Sequence, residues 1–180
     1  MSGSTIKLCR TLLYYLNHQY EKAGYPTPSK KIESYSDTLK EQGYDPLPGY
    51  IEPAQSPVSA LDLYKEYPIT MISSARREEY AHSQQRNIPV LRLNPEPLAE
   101  MHPATAQRHG LVDGEMVNIS TKKGTVKMRL KTTVDMMTGV VSVPHGWGVA
   151  NVNEITSVEV REPITAYPDF KAVLVKVEPA

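Results

Sequence analysis

A polar segment, SSARREEYAHSQQRN at 73–87, is the first part of the sequence whose residue types could do chemistry. It follows YPITMI, an apolar run that predicts a buried strand, and it combines arginine, glutamate, tyrosine, histidine, hydroxyl and amide side chains. Arg76 could meet a phosphate with its planar fork, while hydroxyl and backbone groups hydrogen-bond a polar heterocycle. The alternative interpretation is a solvated loop.

A second segment of this kind is VSVPHGWGVANVNEIT at 141–156. A strand-like run ends at Pro144, and His145, Trp147, Asn151 and Asn153 follow within a few residues. The tryptophan is the only one in the chain and stands between two glycines. Asparagine amides beside it suggest a backbone that approaches a flat ligand, whereas the alternative is a tryptophan that fills the core.

Other kinds of site have weaker support. The five histidines form no HxH or HExxH pair, and the single cysteine excludes an intrachain disulfide framework and a four-cysteine cluster, so no metal site is predicted. Neither GxGxxG nor GxxxxGK occurs, and Ser73 and Ser74 do not lie in GxSxG, which argues against a phosphate loop and a serine nucleophile. Lys122 and Lys123 suggest a solvated hairpin tip.

Charge and length limit the classes of partner. The 180 residues carry a formal net charge of zero, which gives no indication of general binding to nucleic acid or to an anionic membrane. No apolar run approaches the roughly 20 residues of a spanning helix, and Met1 to Tyr20 lacks the apolar centre of a signal peptide. We therefore expect a chain that is soluble as it stands, without membrane insertion and without a nucleic-acid partner.

The spacing of apolar residues and the positions of glycine and proline predict the helices and strands that would position these segments. The first part contains a helix over Thr5 to Ala23, a short helix capped by Ser36, and a proline-rich linker over 44–57. From residue 67 onward the sequence predicts strands in ITMIS, EMVNIST, TVKMRLKT, GVVSVPHG and FKAVLVKVE, with one short helix over 104–109 that Gly110 ends. We expect an N-terminal helix and linker at 1–57 and a small, mainly β barrel with short helices at 58–180.

The sequence also resembles a known family along most of its length, from about Pro26 to Glu178. It is similar to the C-terminal part of molybdopterin oxidoreductases of the dimethyl sulfoxide reductase type, in the thiosulfate and polysulfide reductase-like branch. Five ordered segments carry the resemblance: TPSKKIESYSDTLKEQGYDPLPGY, MISSARREEYAHSQQRN, MHPATAQRHGLVDGEMVNISTKKGTVKMRLKTT, GVVSVPHGWGVANVNEIT and YPDFKAVLVKVE.

The resemblance implies a double-psi β-barrel, of the aspartate decarboxylase-like class, that binds molybdopterin guanine dinucleotide. The cofactor-binding residues that it implies are Ser74, Arg76, His82, Ser83, His145, Trp147, Asn153 and Lys171. Two positions depart from the family pattern, because Ala75 replaces a usual glycine and His102 stands where asparagine is usual before proline.

The family's metal ligand and iron–sulfur cysteines have no counterpart in this sequence. The resemblance therefore implies that molybdenum or tungsten is held by domains absent from this chain, and that its partners are those domains or a large subunit. It also implies that residues 1–57 are the tail of a preceding domain. The chain would be a fragment, an excised domain or a separately encoded subunit, with no catalytic residue of its own, because the cofactor carries the redox chemistry.

Two other functions stay open at this point. A stand-alone interaction module could use the same barrel without a cofactor, although it would have no use for Arg76, His82, Asn153 and Lys171 on one face. A pyruvoyl decarboxylase on a similar barrel is disfavoured, because self-cleavage needs a Gly-Ser bond and the only one, Gly3-Ser4, lies in the N-terminal tail.

Overall fold

The computed structural model describes residues 20–73 and 95–180. The chain forms two compact units, residues 1–51 and residues 52–180. Most of the predicted first helix lies outside the described residues, and so do the predicted site residues Ser74, Arg76, His82 and Ser83. The assignment of 1–57 to the end of a preceding domain stays a prediction.

The first unit contains two short helices in its described part, α1 at Tyr20–Ala23 and α2 at Asp37–Glu41. Ser36 caps α2 as predicted, because its hydroxyl accepts a hydrogen bond from the Leu39 N–H at 3.2 Å. The proline-rich segment 44–57, which runs into the second unit, contains neither helix nor strand, as expected where prolines lack the backbone donor.

The second unit is built mainly from strands. In the part of this unit that the structure describes, the helices are α3 at Leu61–Glu66 and α4 at Pro103–Arg108, and a 3₁₀ turn covers Val152–Glu154. Its strands are β1 at Ile69–Ser73, β2 at Leu98–Met101, β3 at Met116–Ser120, β4 at Thr125–Thr132, β5 at Val140–Val143 and β6 at Val173–Pro179.

These strands close into one barrel in the order β1-β5-β2-β4-β3-β6. The pairs β1–β5 and β2–β4 are parallel, and the remaining pairs are antiparallel. The barrel is of the double-psi type, which confirms the predicted fold class. Five of the six strands were predicted. Strand β2 was not predicted, because it has only four residues and directly follows Pro95 and Pro97, which argue against regular structure. Its regular conformation depends on pairing with β4 and β5.

Alternation of buried and exposed side chains explains why these segments form a barrel. In β4, Val126, Met128 and Leu130 are at most 4% exposed, while the alternating positions Thr125 and Lys127 face outward. In β3 the buried positions are Val117 and Ile119. Burial of these apolar side chains stabilises the closed sheet, and a shift in register by one residue would turn them all to solvent.

The strand pairing brings several chain segments to one end of the barrel, which we call the upper end. Strands β1 and β5 are parallel, with Ser73 opposite Val143, so both end there. Strand β6 is antiparallel to β1, with Met71 opposite Val173, and therefore begins there. Strand β3 ends there too, because it is antiparallel to β6, so the β3–β4 hairpin tip (residues 121–124) lies at the upper end.

Candidate functional site

Lys171 lies at the point where β1 leaves the upper end of the barrel. The Ser73 N–H donates to the Phe170 carbonyl at 3.0 Å, and the Lys171 ammonium donates to the Ser73 carbonyl at 2.7 Å. The Asp169 carboxylate in turn accepts from the Lys171 backbone N–H at 3.2 Å. An ammonium has three N–H donors, so two remain for other partners. The positive charge is thus held directly beside the beginning of the segment that carries Ser74 and Arg76.

The second predicted segment leaves the same end, directly after β5. His145 is half-buried, and Trp147 is 9% exposed, so the indole packs into the protein. Between them Gly146 has a φ of 84°, a left-handed conformation that glycine adopts without a steric penalty. A Cβ added at Gly148 would meet no atom of residues 20–73 or 95–180 within 4 Å, apart from its chain neighbours, so the backbone there is open on the side of the described residues.

Asn153 lies on the surface beside this segment. The Asn151 side-chain oxygen accepts from the Asn153 backbone N–H at 3.2 Å and begins the 3₁₀ turn. Val152 and Ile155, at 4% and 1% exposed, anchor the turn on both sides of Asn153. The Asn153 side chain is exposed and makes no hydrogen bond to another residue of the described ranges, so its amide is available to a ligand.

The β3–β4 hairpin tip packs against the chain just after Asn153. The Thr121 hydroxyl donates to the Ile155 carbonyl at 2.9 Å, and the Lys123 ammonium donates to the Thr156 carbonyl at 2.6 Å. Lys122 and Lys123 are both exposed, as predicted for a solvated tip, but the Lys123 ammonium is in addition bonded to a backbone oxygen. A groove of about 330 Å³ runs along this contact toward the start of β6.

The structure thus brings four of the eight predicted site residues to the upper end, namely His145, Trp147, Asn153 and Lys171. The other four, Ser74, Arg76, His82 and Ser83, lie outside the described residues, but Ser73 ends β1 at this same end. Sequence analysis did not predict the contact of Thr121 and Lys123 with the Asn153 segment.

His102, which departs from the family pattern, has a structural role away from these residues. Its ring nitrogen Nδ1 accepts a hydrogen bond from the Ala104 N–H at 3.0 Å and so caps the N-terminus of α4. Asparagine caps helices in the same way, since both side chains offer an acceptor to the free N–H groups of the first turn. The substitution therefore preserves the cap.

Within 20–73 and 95–180, no three His, Cys, Asp or Glu side chains are grouped so that they could hold a metal ion. In the same ranges no helix is both long and apolar enough to cross a membrane.

The upper end of the closed barrel thus gathers an exposed amide, an ammonium and an open glycine backbone, which are groups that can hydrogen-bond a polar ligand. Comparison with known proteins identifies the class of ligand. Residues 70–174 match the molydopterin dinucleotide binding domain family. The chain belongs to this family, so it is a molybdopterin dinucleotide-binding domain of the kind found in molybdenum and tungsten oxidoreductases.

Similar curated proteins agree with this assignment. Acetylene hydratase from Syntrophotalea acetylenica is 39% identical over 127 residues, which cover 70% of this chain and 17% of the relative. Dopamine dehydroxylase from Eggerthella lenta is 29% identical over 173 residues, 87% of this chain and 17% of the relative. Dimethyl sulfoxide reductase DmsA from Escherichia coli is 32% identical over 130 residues, 67% of this chain and 16% of the relative.

A solved structure supports the fold as well. The structure of acetylene hydratase from Pelobacter acetylenicus superposes with a TM-score of 0.78 at 30% identity, over 87% of this chain and 24% of that chain. The chain thus spans about a sixth of the length of the curated relatives named here, with shares between 16% and 17%. Membership of this family favours cofactor binding over a stand-alone interaction module.

Proposed function

We propose that the upper end of the barrel binds the guanine dinucleotide form of molybdopterin. The proposed contacts are the eight residues Ser74, Arg76, His82, Ser83, His145, Trp147, Asn153 and Lys171. The observation that carries the proposal is the position of the Lys171 ammonium, 2.7 Å from the last carbonyl of β1, where the segment with Arg76 begins. Two cations from distant parts of the sequence would then meet one dianionic diphosphate.

The chemistry of the donors fits such a ligand. The diphosphate needs cationic and neutral hydrogen-bond donors, which Arg76, Lys171 and the serines supply. A purine or pterin ring presents amide-like edges, which the exposed Asn153 amide can pair with as donor and acceptor. The backbone at Gly148 is open toward the described residues, none of which would contact an added Cβ there, and this favours close approach of a flat ring.

The chain would supply binding and orientation rather than the chemical step. When bound, the cofactor supplies the redox chemistry of molybdenum or tungsten, and the metal would be held by other domains of the oxidoreductase. Those domains or a large subunit would be the partners of this chain. The relatives' names state three different substrates, acetylene, dopamine and dimethyl sulfoxide, so we propose no substrate.

Calorimetric titration with GDP and with ADP tests the proposal, because the two nucleotides share the diphosphate and differ in the base. We expect GDP to bind more tightly than ADP. Removal of one charge-assisted hydrogen bond costs about 1.5–3 kcal/mol, so Arg76→Ala should weaken GDP binding about ten- to a hundredfold. Lys171→Met should weaken it in the same direction and reduce its dependence on salt.

The matched control is Lys127→Met, which removes a charge from the exposed face of β4 and should leave the affinity unchanged. Equal affinities for GDP and ADP would contradict the guanine assignment. An affinity that neither Arg76→Ala nor Lys171→Met alters would contradict the proposed site.

A further inference from the structure

Consecutive backbone groups just after Asn153 are in contact with the tip of the β3–β4 hairpin. The Ile155 carbonyl accepts from the Thr121 hydroxyl at 2.9 Å, and the Thr156 carbonyl accepts from the Lys123 ammonium at 2.6 Å. The Thr121 hydroxyl also accepts from the Lys123 backbone N–H at 3.1 Å, which couples the two donors within one turn. These bonds join positions 34 and 33 residues apart in sequence.

Gly124 allows the hairpin tip to approach the Glu154 carbonyl, which directly precedes the Ile155 and Thr156 carbonyls. A Cβ added at Gly124 would lie 2.7 Å from the Glu154 carbonyl oxygen, closer than real Cβ atoms approach backbone oxygens. Any side chain at this position would displace either the tip or the Glu154 backbone. The tip is therefore complementary in shape, as well as in hydrogen bonding, to residues 154–156.

We infer that the β3–β4 hairpin tip is a positioning device for Asn153, in which Thr121, Lys123 and Gly124 fix the segment that presents the Asn153 amide to the cofactor. This inference rests on the proposed function for the role of Asn153. It assigns the tip no direct contact with the ligand. Lys123 is a positioning residue because its ammonium is bonded to the Thr156 carbonyl.

The physical consequence is a segment that is ordered before the ligand arrives. The Asn153 side chain makes no hydrogen bond within the described residues, so only its backbone and neighbours hold it in place. The apparent dissociation constant is inversely proportional to the fraction of molecules whose segment is in the binding conformation. A fall in this fraction therefore raises the apparent dissociation constant by the same factor. Loss of one hydrogen bond at the tip should therefore weaken binding about three- to tenfold.

A double-mutant cycle with GDP as the probe separates positioning from direct contact. We expect Lys123→Met to weaken GDP binding about three- to tenfold in the wild-type background. In the Asn153→Ala background the same substitution should have no further effect, because the amide that it positions is gone. Lys123→Arg, which keeps a cationic donor, should restore most of the affinity. An equal effect of Lys123→Met in both backgrounds would overturn the inference.

Gly124→Ala tests the same idea by displacement, since it removes no hydrogen-bonding group. It should weaken GDP binding as Lys123→Met does, while Gly49→Ala, where an added Cβ meets nothing within 4 Å, should not. Lys127→Met is the control for loss of charge on the hairpin. Unchanged binding in Gly124→Ala would contradict the positioning role.

Hydrogen exchange of the ligand-free protein distinguishes failure of this inference from failure of the proposed function. We expect amides 153–157 to exchange faster in Lys123→Met and Gly124→Ala than in the wild type, with the β3 amides unchanged. If the wild type does not bind GDP, the proposed function fails. Faster exchange of amides 153–157 in the two variants would then still show that the hairpin tip orders this segment. Unchanged exchange overturns the inference whether or not GDP binds.

Discussion

Lys171 illustrates how one side chain at the upper end serves the fold and the proposed site together. Its ammonium donates to the Ser73 carbonyl at 2.7 Å, while the side chain as a whole stays exposed. A bond to the last carbonyl of β1 fixes the direction in which the following segment leaves the barrel. The remaining donors face solvent or a ligand. An affinity change in Lys171→Met would thus combine lost charge with a less fixed β1 exit.

Asp113 provides a pH-dependent contact at the opposite end of the barrel. Its carboxylate accepts from the Thr132 backbone N–H at 2.6 Å and from the Thr132 hydroxyl at 3.0 Å. The backbone hydrogen bond and then the hydroxyl hydrogen bond lower the pKa of Asp113 from its ordinary value of 3.8. Since the folded-state pKa is the lower one, the stabilisation is fully present above pH 3.8 and is lost as the pH falls through the folded-state pKa.

Asp113→Asn tests this dependence. We expect the variant to unfold at a lower temperature than the wild type at neutral pH, because the amide is a weaker acceptor than the carboxylate. The two melting temperatures should converge as the pH is lowered below the folded-state pKa of Asp113. Thermal unfolding followed by circular dichroism between about pH 7 and pH 2 measures this, and a constant difference over the whole range would contradict it.

At the scale of elements, β4 shows how the alternating sequence determines the core. Leu130 is 1% exposed inside the barrel, whereas Lys127 on the same strand faces outward. Leu130→Ala should lower the free energy of unfolding by about 2–5 kcal/mol, because it removes buried methyl groups and leaves a cavity. Lys127→Ala should change it by less than about 0.5 kcal/mol. Urea unfolding of both variants measures the difference, and similar values would mean that β4 is in another register.

Local signals account for the elements that the sequence predicted correctly. Pro103 and Gly110 bound α4, and the alternation in TVKMRLKT gives β4, because these effects act within a few residues. Strand β2 was missed because its regularity comes from partners that lie far away in sequence, with Leu98 opposite Arg129 and Glu100 opposite Ser142. No local pattern reveals such pairing.

The difference between local signals and contacts between distant parts of the sequence also applies to the candidate site. Lys171 was predicted only through resemblance to a family, whereas the asparagines that follow Trp147 had already drawn attention to Asn153. Neither spacing nor composition connects these two residues with each other. The hold of Thr121 and Lys123 on residues 155 and 156 could not be predicted at all, because it spans 33 and 34 residues and leaves no periodic trace. In the sequence alone, two adjacent lysines beside a glycine indicate only a turn.

At the scale of the whole molecule, the barrel topology explains why separate segments can share one ligand. Parallel pairing places the C-terminal ends of β1 and β5 at the upper end, and antiparallel pairing of β6 brings Lys171 there. The chain corresponds to 24% of the acetylene hydratase structure that it resembles. Under the proposed function this chain supplies one wall of a larger cofactor site, so we expect the affinity of the chain alone for nucleotide to be modest.

The most direct test of the central claim follows the indole N–H signal of Trp147 in a ¹H–¹⁵N NMR titration with GDP. Trp147 is the only tryptophan in the chain, so its indole signal needs no further assignment. If GDP binds at the upper end, this signal and the amides of Asn153 and Lys171 shift together along one saturable curve, with smaller shifts for ADP. The amide of Asp113, at the opposite end, should not move. Shifts centred on Asp113 while the Trp147 signal stays unchanged would contradict the account.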